Sequence, residues 1–168
     1  MSLGSHQVAI GRSQSHITPR AIINALGGAD TFDLDPAACV QQPWPCARQS
    51  FTEFDNGLIQ TWRGRVWLNP PFDRRVVGQW VQRLADHGNG TLLTHARTEA
   101  QWFEPIWRSA SAILFMANRI CFYRPDGSRH PHNSGAPPLI AAFGAADLHR
   151  LRASGIPGTL VTSWEHQP

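Results

Sequence analysis

The sequence predicts an α/β fold, abridged in size, with a mainly parallel sheet that ends in antiparallel strands. Three observations carry this. Short apolar runs alternate with segments of helical period along the chain, as in strand–helix–strand units whose strands lie parallel. Two of these runs, Phe32 to Asp35 and Val66 to Leu68, stop at prolines, Pro36 and Pro70-Pro71, which stiffen the turns that follow. Finally, 168 residues suffice for one hydrophobic core and not for two. A single domain is expected over 17–168, behind a polar, Gly/Ser-rich arm at 1–16 expected to be mobile.

A first helix should run from Pro19 to Leu26, ended by Gly27-Gly28. A strand follows at about 31–35. From Pro36 to Arg65 the signals are mixed, because Pro43, Pro45 and Gly57 break any period, with a short strand around Gln49 to Phe51. The strand at 65–68 leads into a helix from Arg74 to His87, whose apolar face is Val76, Val77, Trp80, Val81 and Leu84. Then come strand 90–94, helix 100–109, strands 111–116 and 119–123, and a Pro/Gly/His loop at 124–136. The chain closes with a strand from Leu139 to Phe143, a helix from Ala145 to Ser154 and a strand from Thr159 to Ser163. No internal repeat is found.

Composition excludes several classes. Three cysteines, Cys39, Cys46 and Cys121, neither build a disulfide framework nor have zinc-site spacing, so a reducing compartment fits and no metal is implied. His130 and His132 sit in a polar loop that reads as solvated surface. No apolar run reaches the length of a membrane span, and no signal-peptide core is visible at the N-terminus. The formal charge of +3 comes from fifteen basic residues, all arginine, and permits a polyanionic partner without demanding one.

The junction of strand 65–68 with Asn69-Pro70-Pro71-Phe72 carries the most chemistry. An exocyclic amine on a flat ring is a poor nucleophile because its lone pair is delocalised. Two acceptors, the Asn69 side-chain oxygen and the Pro70 carbonyl, suit its two N–H hydrogens, and Phe72 offers a face on which an extruded base can stack. With an electrophile held in line, positioning supplies most of the acceleration. The same four residues are also ordinary turn formers.

A second constellation is Asp33-Leu34-Asp35-Pro36-Ala37-Ala38. The carboxyl end of a strand at a topological switch point is where nucleotide-like ligands sit in open α/β sheets. Asp35 suits a positively charged ligand group, and Ala37 and Ala38 allow close backbone approach. An N-cap at Asp35 with Pro36 opening a helix explains the same residues.

The order Thr18-Pro19, FDLDPAA, FTEFDNGLIQTW, GRVWLNPPF and ARTEAQWF resembles the phage-type DNA N6-adenine methyltransferase family over roughly residues 16–145. The resemblance implies a Rossmann-like fold that uses S-adenosyl-L-methionine (SAM) and a DNA partner, in the cytoplasm of a bacterial host. It implies that Thr18 and Pro19 flank the methyl donor, that Asp33, Asp35, Pro36 and Ala37 form the donor motif, and that Asp55 lies near the donor's adenine. Asn69, Pro70, Pro71 and Phe72 become the catalytic motif, its leading asparagine favouring adenine N6 over cytosine N4. Arg97, Thr98 and Glu99 match a segment after the next strand, and Asn118-Arg119 a later Gly-Arg pair. Ala100 stands where a threonine is common, and Asn118 replaces the glycine.

The segment between Asp35 and Asn69 is too short for a separate recognition domain. DNA contacts are therefore expected from loops, with Arg74, Arg75, Arg97 and Arg119 as candidates and with short or relaxed site preference. Trp80, Trp102 and Trp107 read as core residues; Trp62 and Trp67 flank the catalytic segment, where stacking on a donor or a displaced base is an alternative to the core packing that leads for them too. The alternative function is a degenerate methyltransferase fold that binds DNA or a protein without catalysis.

Overall fold

A computed structural model describes residues 16–167; the arm expected at 1–16 lies outside them except for His16. The parallel half of the sheet comprises β1 (Leu34–Asp35), β2 (Gln49–Ser50), β3 (Val66–Leu68) and β4 (Gly90–His95). The other strands are β5 (Ala112–Met116), β6 (Pro138–Phe143) and β7 (Gly158–Val161). Their order across the sheet is β2-β1-β3-β4-β6-β5-β7. The three pairings from β2 to β4 are parallel and the three beyond β4 are antiparallel. Only β6 and β7 run against the rest, but antiparallel pairing reaches further into the sheet than an end strand.

Side chains alternate across the sheet. Trp67, Leu93, Ile140 and Ala142 share one cluster with Ile22, Ile23 and Leu26 of α1 (Arg20–Ala25 and its C-cap) and Leu151 of α4 (Ala145–Ala153). Val66, Leu68, Leu92, Leu139 and Ala141 share the other with Val77, Trp80, Val81 and Leu84 of α2 (Val77–His87) and Ile106 of α3 (Glu104–Ser109). Each fully buried side chain of this size contributes about 1.5–3 kcal/mol. Covering both faces leaves the strand ends as the place where a ligand can meet the sheet.

Several expected elements take a different form. The strand at 31–35 shortens to Leu34–Asp35 after a 3-10 turn at Ala29–Thr31. The helix expected from Arg74 begins at Val77, because Asp73 accepts from the backbone N–H of Arg75 in a local turn. The helix at 100–109 is a 3-10 turn at Gln101–Phe103 followed by α3. No ladder strand forms at 119–123. Ile120 and Phe122 are buried there, but among the described residues the backbone bonds only to Ile17 and to the loop that follows. Nor does a helix open at Pro36: Asp35 Oδ1 accepts instead from the N–H of Ala37, at 3.2 Å. Among the described residues no helix is long and apolar enough to cross a membrane.

Candidate active site

β1 and β3 are neighbours in the sheet, with Leu34 opposite Val66. From β1 the chain moves outward to β2 and then returns to lay β3 on the other side of β1. The strand order therefore reverses between β1 and β3. Asp35 ends one of these strands and Asn69 follows the end of the other, so both constellations meet at the switch point.

Asn69 is anchored by its nitrogen. Nδ2 donates to the carbonyl of His16 at 2.7 Å and to the hydroxyl of Thr18 at 3.3 Å. Oδ1 is buried and has no hydrogen-bond partner among the described residues. Leaving a buried acceptor unpaired costs about 1–3 kcal/mol, so a donor that reached this oxygen would be favoured. Pro70 is buried and Pro71 exposed.

Phe72 stands in an aromatic group that motif reading did not reveal. The His95 ring, at the end of β4, stacks on it at 4.2 Å between centroids and 23°. His16 meets Phe72 edge-on at 5.9 Å, and Phe122 lies at 6.1 Å. Burial holds the His95 imidazole below its ordinary pKa, and the cations Arg97 and Arg119 beside it, together with His16, act in the same direction. His95 is therefore neutral at pH 7. Its place at the carboxyl end of the strand beside β3 is the one sequence signal for it.

Asp35 is 4% exposed and has no cationic side chain in salt-bridge contact among the described residues. Burial pushes its pKa up to about 7, against hydrogen bonds from the Ala37 N–H and the Gln42 side chain. Burial, with Asp35 nearby, also pushes the Cys46 thiol up, so it stays protonated. A buried carboxyl without a cation fits a ligand that brings one, such as a sulfonium or an ammonium group. The loop after β2 closes on this motif. A Cβ at Gly57 would fall 1.9 Å from the Pro36 carbonyl oxygen, so only glycine permits the approach. Asp55, in that loop, is exposed and accepts from the Thr52 N–H and hydroxyl at 2.8 and 2.9 Å.

The model of the DNA N-6-adenine-methyltransferase (Dam) family matches residues 9–146, a stretch that contains Thr18, Asp35, Asn69 to Phe72 and His95. The chain belongs to the Dam family. It is 27% identical over 105 residues to a DNA N-6-adenine-methyltransferase of Escherichia phage T1, an alignment covering 59% of this chain and 43% of the relative. The chain thus spans less than half the length of that relative. No solved structure matches it.

Within this Dam-family chain the other expected site residues separate. Thr18 is buried against Asn69, and its carbonyl accepts from Trp44 Nε1 at 3.0 Å. Pro19 is the residue before α1. Asp33 Oδ2 accepts from the backbone N–H of Arg65 at 2.8 Å, and Asp33 Oδ1 accepts from Arg48 at 3.5 Å. That side chain ties β1 to the segment entering β3. Arg75 is paired with Asp73 at 2.6 Å, whereas Arg74 is exposed with no ion-pair partner among the described residues. Arg97 and Arg119 both lie near His95; Arg119 also donates to the Ser134 carbonyl at 2.9 Å, fastening the 124–136 loop. Trp67 and Trp62 are core residues, the first against Phe32 and the second stacked on Trp80.

Proposed function

We propose that this chain is a SAM-dependent DNA methyltransferase of Rossmann-like fold that modifies the N6 of an adenine extruded from its helix. The observation that carries the reading is the Asn69 amide, held through its nitrogen with its oxygen buried and unpaired. The amino group of adenine donates two N–H bonds, and Asn69 Oδ1 and the Pro70 carbonyl are two acceptors that suit it. Accepting both hydrogens localises the lone pair on N6 and raises its nucleophilicity. Phe72, backed by His95, is the ring on which the base would stack.

When bound, the donor supplies an electrophilic methyl group on a sulfonium. The chain's own part would be to hold it: the buried Asp35 carboxyl would take its positive charge, Pro36 and Ala37 would form part of its site, and the Asp55 loop closes on the same motif through Gly57. Positioning of the amine against that methyl then accounts for the acceleration. Arg97 and Arg119 lie near His95, and with the exposed Arg74 they suit phosphate contacts.

The test is Asn69→Ala, with methyl transfer and SAM binding measured separately. Transfer should fall about 10²-fold or more, equivalent to about 2.7 kcal/mol, while SAM binding stays within about twofold of wild type, a shift of under 0.5 kcal/mol. Wild-type turnover in the variant removes Asn69 from the mechanism. A wild-type protein that binds DNA but not SAM is instead a non-catalytic binding module.

A further inference from the structure

We infer that the His16 to Thr18 segment sets the orientation of the Asn69 amide, with Thr18 a positioning residue whose hydroxyl acts through Asn69. The inference rests on the methyltransferase reading and deepens it. An asparagine amide can be turned end for end with little change in shape, and only one orientation puts its oxygen toward a substrate amine. A carbonyl can only accept. At 2.7 Å the His16 carbonyl therefore takes Nδ2 and repels Oδ1, and the Thr18 hydroxyl, a group that can also donate, accepts from the same nitrogen at 3.3 Å and reinforces the orientation the carbonyl selects.

The segment carrying these acceptors is itself fastened. Ile17 and Tyr123 exchange backbone hydrogen bonds of 3.0 and 2.9 Å, Trp44 donates to the Thr18 carbonyl, and Ile17 and Thr18 are both buried. The acceptors cannot follow the amide if it turns. The resemblance ties Thr18 to the methyl donor, but the partner of its hydroxyl in the structure is the Asn69 amide nitrogen.

Two variants separate these roles. Thr18→Val keeps the shape and removes the acceptor; Thr18→Ser keeps the acceptor. Three quantities are read: kcat at saturating SAM, the SAM Kd by calorimetry, and hydrogen exchange of the Asn69 side-chain amide by nitrogen-15 NMR. That signal is assigned by its loss in Asn69→Asp. Thr18→Val should lower kcat about tenfold or more, leave the SAM Kd within about twofold, and speed amide exchange about tenfold. Thr18→Ser should stay close to wild type in all three. A large loss of SAM affinity with unchanged kcat, or unchanged amide exchange in Thr18→Val, overturns the inference. Should the wild type transfer no methyl group, the methyltransferase reading fails, and the exchange measurement alone still decides whether Thr18 holds the amide.

Discussion

The imidazole of His95 lies stacked on the ring of Phe72, with centroids 4.2 Å apart. The protein thus covers the stacked face of Phe72, with His16 edge-on and Phe122 tilted nearby. A paired aromatic contact is worth about 0.5–1.5 kcal/mol, so His95→Ala should slow transfer by roughly two- to twelvefold. Phe72→Ala should cost more, and the double variant little beyond Phe72→Ala alone. Additive losses in a transfer assay would show that His95 acts independently of the stack.

Asp35 carries a pH dependence of definite sign. Burial raises its pKa from 3.8 to about 7 in the folded protein, so between those values the folded state binds more protons than the unfolded one. Stability of the donor-free protein falls as pH rises through that window, and the loss is complete above about pH 7. Binding of a cationic donor should strengthen over the same rise, because the ionised carboxylate is the form that attracts it. Calorimetry of SAM at pH 6 and pH 8 checks this, with Asp35→Asn expected to bind weakly and to lose the Asp35-linked rise. The same pH dependence in wild type and variant would take Asp35 out of the donor site.

Both strand ends of the site were legible because an apolar run stopped by proline leaves a local mark, in Asp35-Pro36 and in Asn69-Pro70-Pro71. The contacts that complete them were not. The His16 carbonyl reaches Asn69 from far away in sequence, and a backbone oxygen carries no residue-type signal. The alternation of residue types over 119–123 fits the burial of Ile120 and Phe122. It reports a half-buried extended segment, however, and says nothing of whether a neighbouring strand is there to complete a ladder. Asp33 was grouped with Asp35 by motif, although its carboxylate serves Arg65 and Arg48.

Arg74 and Arg75 should differ in DNA binding. Arg75 is already paired with Asp73, and Arg74 is exposed beside it. Each phosphate contact contributes about 0.9 to the slope of log affinity against log salt. Arg74→Ala should reduce that slope by about this amount, and Arg75→Ala by less. Filter binding over a salt series checks the order, and a larger effect at Arg75 would reverse the assignment.

A buried ion pair holds the opposite end of the sheet. Arg65 meets Asp147 at 2.9 Å, and both are buried. Thr91 donates to the same carboxylate, and the guanidinium lies 3.7 Å over the Phe32 ring. Removing one partner strands the other, so Asp147→Ala should destabilise by about 3–5 kcal/mol in denaturant unfolding. A loss under about 1 kcal/mol would mean that the site relaxes or hydrates.

Adenine methylation by this chain is decided by incubating the wild-type protein with duplex DNA of varied sequence and SAM carrying a labelled methyl group, then digesting the DNA to nucleosides. Label is expected in N6-methyladenine, and is expected to be lost in Asn69→Ala. Label in N4-methylcytosine, or no label while SAM and DNA both bind, would contradict adenine methylation by the chain.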